Sequence, residues 1–365
     1  MAKTRVALEI TEDSVRAVEV TDGRAPTLLA AGEVMLPPGA AKDSEIVDRD
    51  VVVGALRRLW ADAGIKGRNV VLGVGGRRVL VREHSSTLRE TALVRQSLPF
   101  DVQDRLPVPV DQAVLDFIPT HVDDEGMHGL MVAAVSEQME DLVSVLAEAG
   151  LVADSIDLLA FGYCRALAGL APKGVTGMLI GIGEHTTQVV IATDGVPQFA
   201  RAIPIDVPRG EAGIAAVEAA PTPLETLTGF RAGGAEDSAD GTPRSRGDLR
   251  RARTAVATPP EGTPEAPAAD AMSADLQDVL IDLVTRLRGT VSFYRDRTDA
   301  APVAATFVTG LHTDHPRLQA ALAQVAGTEI RRVTGADLVR IKNGLHPAVD
   351  ERIAPTVALL LGGTK

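Results

Sequence analysis

The sequence predicts an α/β fold built twice: two sheets opened by matching hairpins, covered by helices, with a cleft between the halves. Three observations carry this. First, "VALEITEDSVRAVEVTDG", Val6 to Gly23, returns without a gap as "MLIGIGEHTTQVVIATDG", Met178 to Gly195, at a constant offset of 172 positions. Six of the 18 positions are identical: Ile10/Ile182, Glu12/Glu184, Val18/Val190, Thr21/Thr193, Asp22/Asp194 and Gly23/Gly195. Second, each copy is rich in strand-forming residues and ends in Asp-Gly, the dipeptide that turns a hairpin tightly. Third, both faces of the first strands are apolar, with Val6, Leu8 and Ile10 on one side and Ala7 on the other, so the sheet needs helical cover on both sides.

The elements follow in order. Thr4–Ile10, Ser14–Thr21 and Thr27–Leu36 form an antiparallel meander, broken at Glu12-Asp13 and Asp22-Gly23. In "VDRDVVVGALRRLWADAG" the residues Val52, Leu56, Leu59 and Trp60 recur at helical spacing, and Gly64 caps the helix end. From about Arg82 to Leu158 the pattern changes to an αβ unit: strands "AVLDFIPTHV" and "LMVAAVS" flank a polar turn. A helix then runs from Glu137 to Ala149, with Ser136 as its N-cap and Gly150 as its stop. The helix "DLLAFGYCRALAGL" leads into the second copy, with strands "GMLIGIG", "TTQVVIAT" and "VPQFARAIPI".

Residues 231–272 consist largely of Ala, Pro, Gly, Thr, Asp and Arg, cannot bury enough apolar surface to offset ordering, and are expected to be a disordered linker. Its arginines Arg244, Arg246, Arg250, Arg251 and Arg253 make it locally basic and solvated. Order resumes in "SADLQDVLIDLVTRLRGTVSFYRDR", where Leu276, Val279, Leu280, Leu283, Leu287, Val291 and Tyr294 share one helical stripe. A strand "AATFVTG" and helices from Pro316 and Pro355 close the chain.

Composition narrows the function. The 365 residues suffice for about two domains. A net charge of −12 speaks against a protein that grips the phosphate backbone of nucleic acid. Cys164, the single cysteine, has no internal partner, which fits a reducing cytoplasm and a small core residue. "MAKTRVALEI" lacks the apolar core of a signal peptide, and "APTVALLLGG" is too short for a membrane span, so it reads as a buried terminal element. Membrane contact is expected only through partners. Local motifs add little: "GVGGRR" is no phosphate loop, His312 and His315 lack further ligands, and Asp123, Asp124 and Glu125 form a solvated turn.

The repeat, with "ATFVTGLHTDHPRLQAALAQ" as a third segment of strand, glycine and helix, resembles the phosphotransferase and actin-like superfamily. Within it the chain resembles the PilM family of type IV pilus assembly. The likeness is carried by "LVREHSSTLRETALVRQSLPFDVQDRLPVPVDQAVLDF", similar to the family's inserted subdomain 1C, by "LMVAAVSEQMEDLVSVLAEAGLVADSIDLLAFGYCRAL" and by "LVTRLRGTVSFYRDR". The resemblance implies an actin-like, RNase H-like duplicated fold of two domains around a nucleotide cleft, with a 1C-type insertion and a reduced 2B subdomain near Gly210 to Ala220. Its boundaries would be 1–81 and 158–175 for subdomain 1A, 82–157 for 1C, and 176–230 with 273–365 for the second domain.

The resemblance also implies vestigial nucleotide-binding positions. Glu9, Thr11, Ser14 and Arg16 stand where the family's first hairpin has Asp-x-Gly, small hydroxyl residues and a basic residue. Gly181, Gly183, Thr186 and Thr187 stand in the second hairpin, where the carboxylate is missing, and Gly310 is followed by Leu311 in place of a second glycine. ATP with Mg is therefore expected to bind weakly, without a catalytic residue or an intrinsic metal site. The expected role is a cytoplasmic scaffold, peripheral at the inner face of the membrane. Its implied partner is the N-terminal peptide of a PilN-like membrane protein, lying in a groove between 1A and 1C within Leu80 to Leu158; a pilus or secretion ATPase and a platform protein are further partners. The alternatives are a working ATPase or kinase on the same fold and an FtsA-like division protein, which would be expected to end in an amphipathic membrane helix where this sequence reads "LLLGGTK".

Overall fold

The computed structural model describes residues 3–23, 25–42, 45–75, 79–209, 274–298, 300–341 and 347–362. The first meander consists of β1 (Thr4–Ile10), β2 (Ser14–Thr21) and β3 (Thr27–Met35). A small ribbon, β4 (Ala41–Lys42) with β5 (Glu45–Ile46), precedes α1 (Arg49–Ala63). Asp48 caps α1 by accepting from the Val51 N–H at 3.2 Å, and Gly64 ends it at φ 66°, a left-handed conformation that glycine adopts without strain. Its apolar stripe, including Val52, Leu56, Leu59 and Trp60, is buried against the sheet. Each such side chain contributes roughly 1.5–3 kcal/mol on burial. β6 (Asn69–Val74) then returns parallel to β1. Buried Glu19 accepts from the N–H groups of Lys66 and Gly67 and from Thr4, which fixes the turn between α1 and β6.

The inserted unit has a three-stranded antiparallel sheet, β7 (Leu80–Ser86), β8 (Ala113–Val122) and β9 (Met127–Val135), in the order β7-β9-β8. Helix α2 (Thr91–Asp101) covers it through Val94 and Leu98, packed on Phe117 and Met131. Next come α3 (Ser136–Glu148), β10 (Val152–Leu158) and α4 (Leu159–Leu170). Ser136 is the first residue of α3 and makes no cap; Val135, at the end of β9, precedes it, so the chain passes from strand to helix with no room for a capping turn. The expected insertion 82–157 therefore divides. Residues 80–135 form its own sheet, whereas β10 pairs in parallel with β6 and α3 joins the core of the first domain.

The second meander is β11 (Thr176–Ile182), β12 (Thr186–Thr193) and β13 (Val196–Pro204). After the long helix α5 (Ala274–Arg295) come β14 (Ala305–Gly310), α6 (Pro316–Ala326), β15 (Ile330–Arg332), α7 (Gly335–Leu338), β16 (Arg340–Ile341) and α8 (Pro347–Ala358). The expected linker 231–272 and the expected 2B stretch lie outside the described residues. Two expectations for the C-terminus change. The final helix begins at Pro347, with Pro355 inside it. Its residues Ile353 and Val357, followed by Leu359 and Leu360, pack on Ala7, Val18 and Val20 of the first sheet, which β16 extends by pairing with β3. The chain end thus packs on the first sheet, while Ala358 also joins the core of the second with Leu179, Val190 and Phe307.

The duplication is visible in the hydrogen-bond register. In the first hairpin Thr4 faces Thr21, Glu9 faces Arg16 and Ile10 faces Val15; in the second Thr176 faces Thr193, Gly181 faces Gln188 and Ile182 faces Thr187, each pair shifted by the same 172 positions. Both sheets place a parallel strand beside the first strand of the hairpin, β6 against β1 and β14 against β11, then a further parallel strand, β10 or β15. The orders are β10-β6-β1-β2-β3-β16 and β13-β12-β11-β14-β15.

Candidate functional site

The two hairpin turns meet. In each, the residue after the first strand donates its N–H to the carbonyl three residues on, Thr11 to Ser14 at 2.8 Å and Gly183 to Thr186 at 3.2 Å. Asp13 and His185, equivalent positions of the repeat, touch across the cleft with Oδ2 and Nε2 3.0 Å apart. The other ring nitrogen of His185 lies 2.9 Å from Oδ1 of Asp206. The hydrogen bond to Asp13, with that to Asp206, lifts the imidazole pKa to about 9 against its partial burial.

Below the turns lies a buried cluster of three arginines and three glutamates. Nε of Arg16 reaches Oε1 of Glu33 at 2.8 Å, and its Nη2 pairs with Glu184 of the opposite hairpin. Arg209 bridges the same two carboxylates, at 3.1 Å from Glu33 and 2.9 Å from Glu184, and Arg352 of α8 lies 2.9 Å from Oε2 of Glu33. Burial opposes ionisation of Glu33, but Arg16, Arg209 and Arg352 hold its carboxyl down to about 2. Glu184 is likewise lowered, by Arg16 and Arg209, despite its burial. Burial would disfavour the Arg16 charge, yet Glu184 and Glu33 outweigh it and hold the guanidinium firmly protonated. Glu9 behaves differently. Burial raises its pKa, with Arg16 opposing, and the carboxylate accepts a hydrogen bond from Thr356 at 3.1 Å.

Of the residues expected to face a nucleotide, Glu9, Thr11, Arg16, Gly181, Gly183, Thr186 and Gly310 line one cavity of about 100 Å³. Ser14 and Thr187 are fully buried and outside that lining. Gly310 needs its glycine: its φ is 99°, and a Cβ there would lie 2.0 Å from the carbonyl oxygen of Ile182. Gly181 needs its glycine for a different reason. A Cβ at 181 would lie 2.5 Å from the hydroxyl of Tyr163, which α4 inserts against the strand.

The cleft as folded does not fit Mg-ATP. Small-molecule sites usually offer about 300–1,000 Å³, and the Arg16 guanidinium is engaged by two carboxylates. The position of the absent second carboxylate is covered by Tyr163, and the Glu9 carboxylate is buried and already held by Thr356. Glu33, Arg209, Arg352 and Tyr163 carry this arrangement and were not among the expected site residues. They lie on β3, after β13, on α8 and on α4, and no local pattern marks them. Glu184 carried a signal, its identity with Glu12 in the repeat. Cys164 is buried, and burial pushes its thiol up to about 12, which suits the core role expected of it.

Comparison with known proteins agrees with this fold. The family described as type IV pilus assembly protein PilM matches residues 7–204, more than half of the chain. The solved structure titled a PilM-PilN type IV pilus biogenesis complex is similar over 98% of this chain and 97% of that one, at 19% identity and a TM-score of 0.70. Ethanolamine utilization protein EutJ from Carboxydothermus hydrogenoformans matches at 12% identity and a TM-score of 0.47, covering 99% of this chain and 91% of that one. A Bacteroides thetaiotaomicron protein with an actin-like ATPase fold matches at 6% identity and a TM-score of 0.47, with coverage of 98% and 96%. The fold is actin-like, and the chain belongs to the PilM family of type IV pilus assembly proteins.

Proposed function

We propose that this chain is a cytoplasmic scaffold in the inner-membrane platform of a type IV pilus or a related secretion machine. In this role it holds the N-terminal cytoplasmic peptide of a PilN-like membrane protein and binds nucleotide weakly, as a vestige of the fold. Among the described residues no helix is long and apolar enough to cross a membrane; in this reading the attachment runs through such a partner. A pilus or secretion ATPase and a platform protein are the further partners of this role.

The observation that carries the peptide-binding part is a second cavity, of about 830 Å³, where two strand edges meet. Consecutive residues Leu80 to Glu83 of β7 line it, as do Phe199 to Ala202 of β13. Successive side chains of a strand point to opposite faces, so a run of consecutive lining residues means that the cavity follows the strand's edge. Among the described residues β7 pairs only with β9, and β13 only with β12. An extended peptide laid there adds a strand, with Val74, Leu130 and Leu158 as an apolar floor for alternate side chains.

Calorimetric titration tests this, once with a synthetic N-terminal peptide of the PilN-like protein from the same organism and once with Mg-ATP. The expected result is saturable peptide binding, weakened at least about 10-fold by Arg201→Glu at the exposed rim, a change of roughly 1.4 kcal/mol, with weak or absent heat from ATP. Tight ATP binding with turnover, and no heat from the peptide, would overturn the proposal.

A further inference from the structure

At the tip of the inserted sheet, β8 and β9 carry two histidines directly opposite each other. His121 registers with His128 just past a bulge, and their rings stack with centroids 4.5 Å apart and planes 6° from parallel. Asp123 opens the turn between the strands. Its Oδ2 lies 3.0 Å from Nε2 of His128 and 3.9 Å from Nε2 of His121.

The remaining atoms of the three side chains are each held by a neighbour. Nδ1 of His128 is 2.8 Å from Oγ of Ser85 on β7, and Nδ1 of His121 is 3.2 Å from Oγ1 of Thr120. Oδ1 of Asp123 accepts from the N–H groups of Glu125 at 2.8 Å and Gly126 at 3.1 Å. What is left is a convergent set of two imidazole nitrogens and one carboxylate oxygen, all within 4.8 Å of one another. This is how metal-ligating histidines are commonly arranged, with the second ring nitrogen hydrogen-bonded so that tautomer and orientation are fixed.

We propose that His121, Asp123 and His128 form a site for a divalent transition metal, with at least one coordination position left to water. Two imidazoles and a carboxylate suit zinc, cobalt, nickel or copper, whereas magnesium and calcium take oxygen ligands. Metal–nitrogen bonds of about 2.0–2.1 Å require the three atoms to draw together and the rings to rotate out of their stack, so that both lone pairs meet at one point. The location permits this, since His121 and Asp123 are exposed and His128 is half-buried. The bound ion would tie β8, β9 and the turn together at the tip of the sheet, independently of the cleft and of the peptide-binding role.

The test uses untagged full-length protein treated with a chelator, then titrated with zinc chloride in a calorimeter and with cobalt chloride followed by its visible absorption. One equivalent of zinc per chain is expected, a cobalt spectrum of a protein-bound ion, and no heat beyond dilution from magnesium chloride. His121→Ala and His128→Ala should abolish binding while leaving the far-ultraviolet circular dichroism unchanged. Ser85→Ala, which touches no metal, should weaken it by roughly 10- to 100-fold at unchanged stoichiometry. Absence of saturable zinc binding, or binding that survives in the His121→Ala/His128→Ala double variant, would overturn the assignment.

Discussion

Replacing Gly181 with alanine asks why the second hairpin lacks the acid that Glu9 supplies in the first. A Cβ at position 181 would sit 2.5 Å from Oη, 2.6 Å from Cε2 and 2.7 Å from Cζ of Tyr163. Favourable contacts between such atoms lie at about 3.5–4.0 Å, so the ring must move by roughly 1 Å. It is 4% exposed and packed in a core that includes Leu179 and Val190, so there is little room to move into. Overpacking of this kind costs about 1–3 kcal/mol, from which roughly 0.5–1 kcal/mol is regained because alanine is better than glycine inside a strand. Taking the middle of both ranges, the expected net loss for Gly181→Ala is about 1 kcal/mol. Tyr163→Ala alone removes a buried aromatic and should cost about 3–5 kcal/mol. Combined with it, Gly181→Ala meets no ring and becomes stabilising, which gives a coupling energy of about 1–3 kcal/mol. Urea unfolding measures this. Circular dichroism and the fluorescence of Trp60, the one tryptophan, should report coincident transitions before free energies are compared. Gly181→Ala as stable as the parent, or a coupling below about 0.5 kcal/mol, would refute the reasoning.

Two further predictions concern the closure of the cleft. Glu184→Gln keeps the side-chain shape but leaves Arg16, Arg209 and Arg352 to share Glu33, and stranding buried charge in this way costs about 3–5 kcal/mol; a loss under about 1 kcal/mol in urea unfolding would show that the cluster does not hold the halves together. His185 has a folded pKa of about 9, above the value of 6.5 it relaxes to on unfolding, so its contribution is fully present below pH 6.5 and is lost as the pH rises through 9. The full linkage is about 3 kcal/mol, reduced to roughly 1–2 kcal/mol because Asp206 is well exposed and its pairing is screened. Unfolding free energies measured from pH 6 to pH 9.5 should fall by that amount more in the parent than in His185→Asn, and equal profiles would exclude the coupling.

The fold was legible where burial imposes a period. The hairpins, the stripe of α1 and the long stripe of α5 are amphipathic or wholly apolar, and the offset of 172 in sequence reappears residue by residue in the strand register. Strand β10 was missed because "VADSIDL" is mostly exposed along its length, being at the end of its sheet. The start of α8 was misplaced because proline suits the first turn of a helix, and both Pro347 and Pro355 fit that rule. Its return to the first sheet could not be read from a helix that is apolar on a face of unspecified destination. The cleft was half legible. Seven of the nine expected residues line it, yet what fills it is set by Glu33, Arg209, Arg352 and Tyr163, whose convergence depends on tertiary topology alone.

The meeting of the two hairpin turns explains why the copies differ where they do. Equivalent positions of a repeat that touch each other would place like against like, and two aspartates at positions 13 and 185 would repel. Here one is Asp13 and the other His185, and they pair. At positions 16 and 188 one copy has arginine and the other glutamine: Arg16 crosses to Glu184, while Gln188 donates to the carbonyl of Gly75 at 2.7 Å. At positions 9 and 181 one copy keeps a buried acid and the other makes room for Tyr163. Each difference favours a closed cleft. The basic group of the first hairpin, Arg16, is held by Glu33 and Glu184, so a phosphate must replace buried ion pairs before it can pair with that guanidinium. Its net affinity is the difference between those contacts and the free energy of parting the halves. In the proposed role, weak nucleotide binding would follow from what the two hairpins do to each other, even before the missing carboxylate at Gly181 is counted.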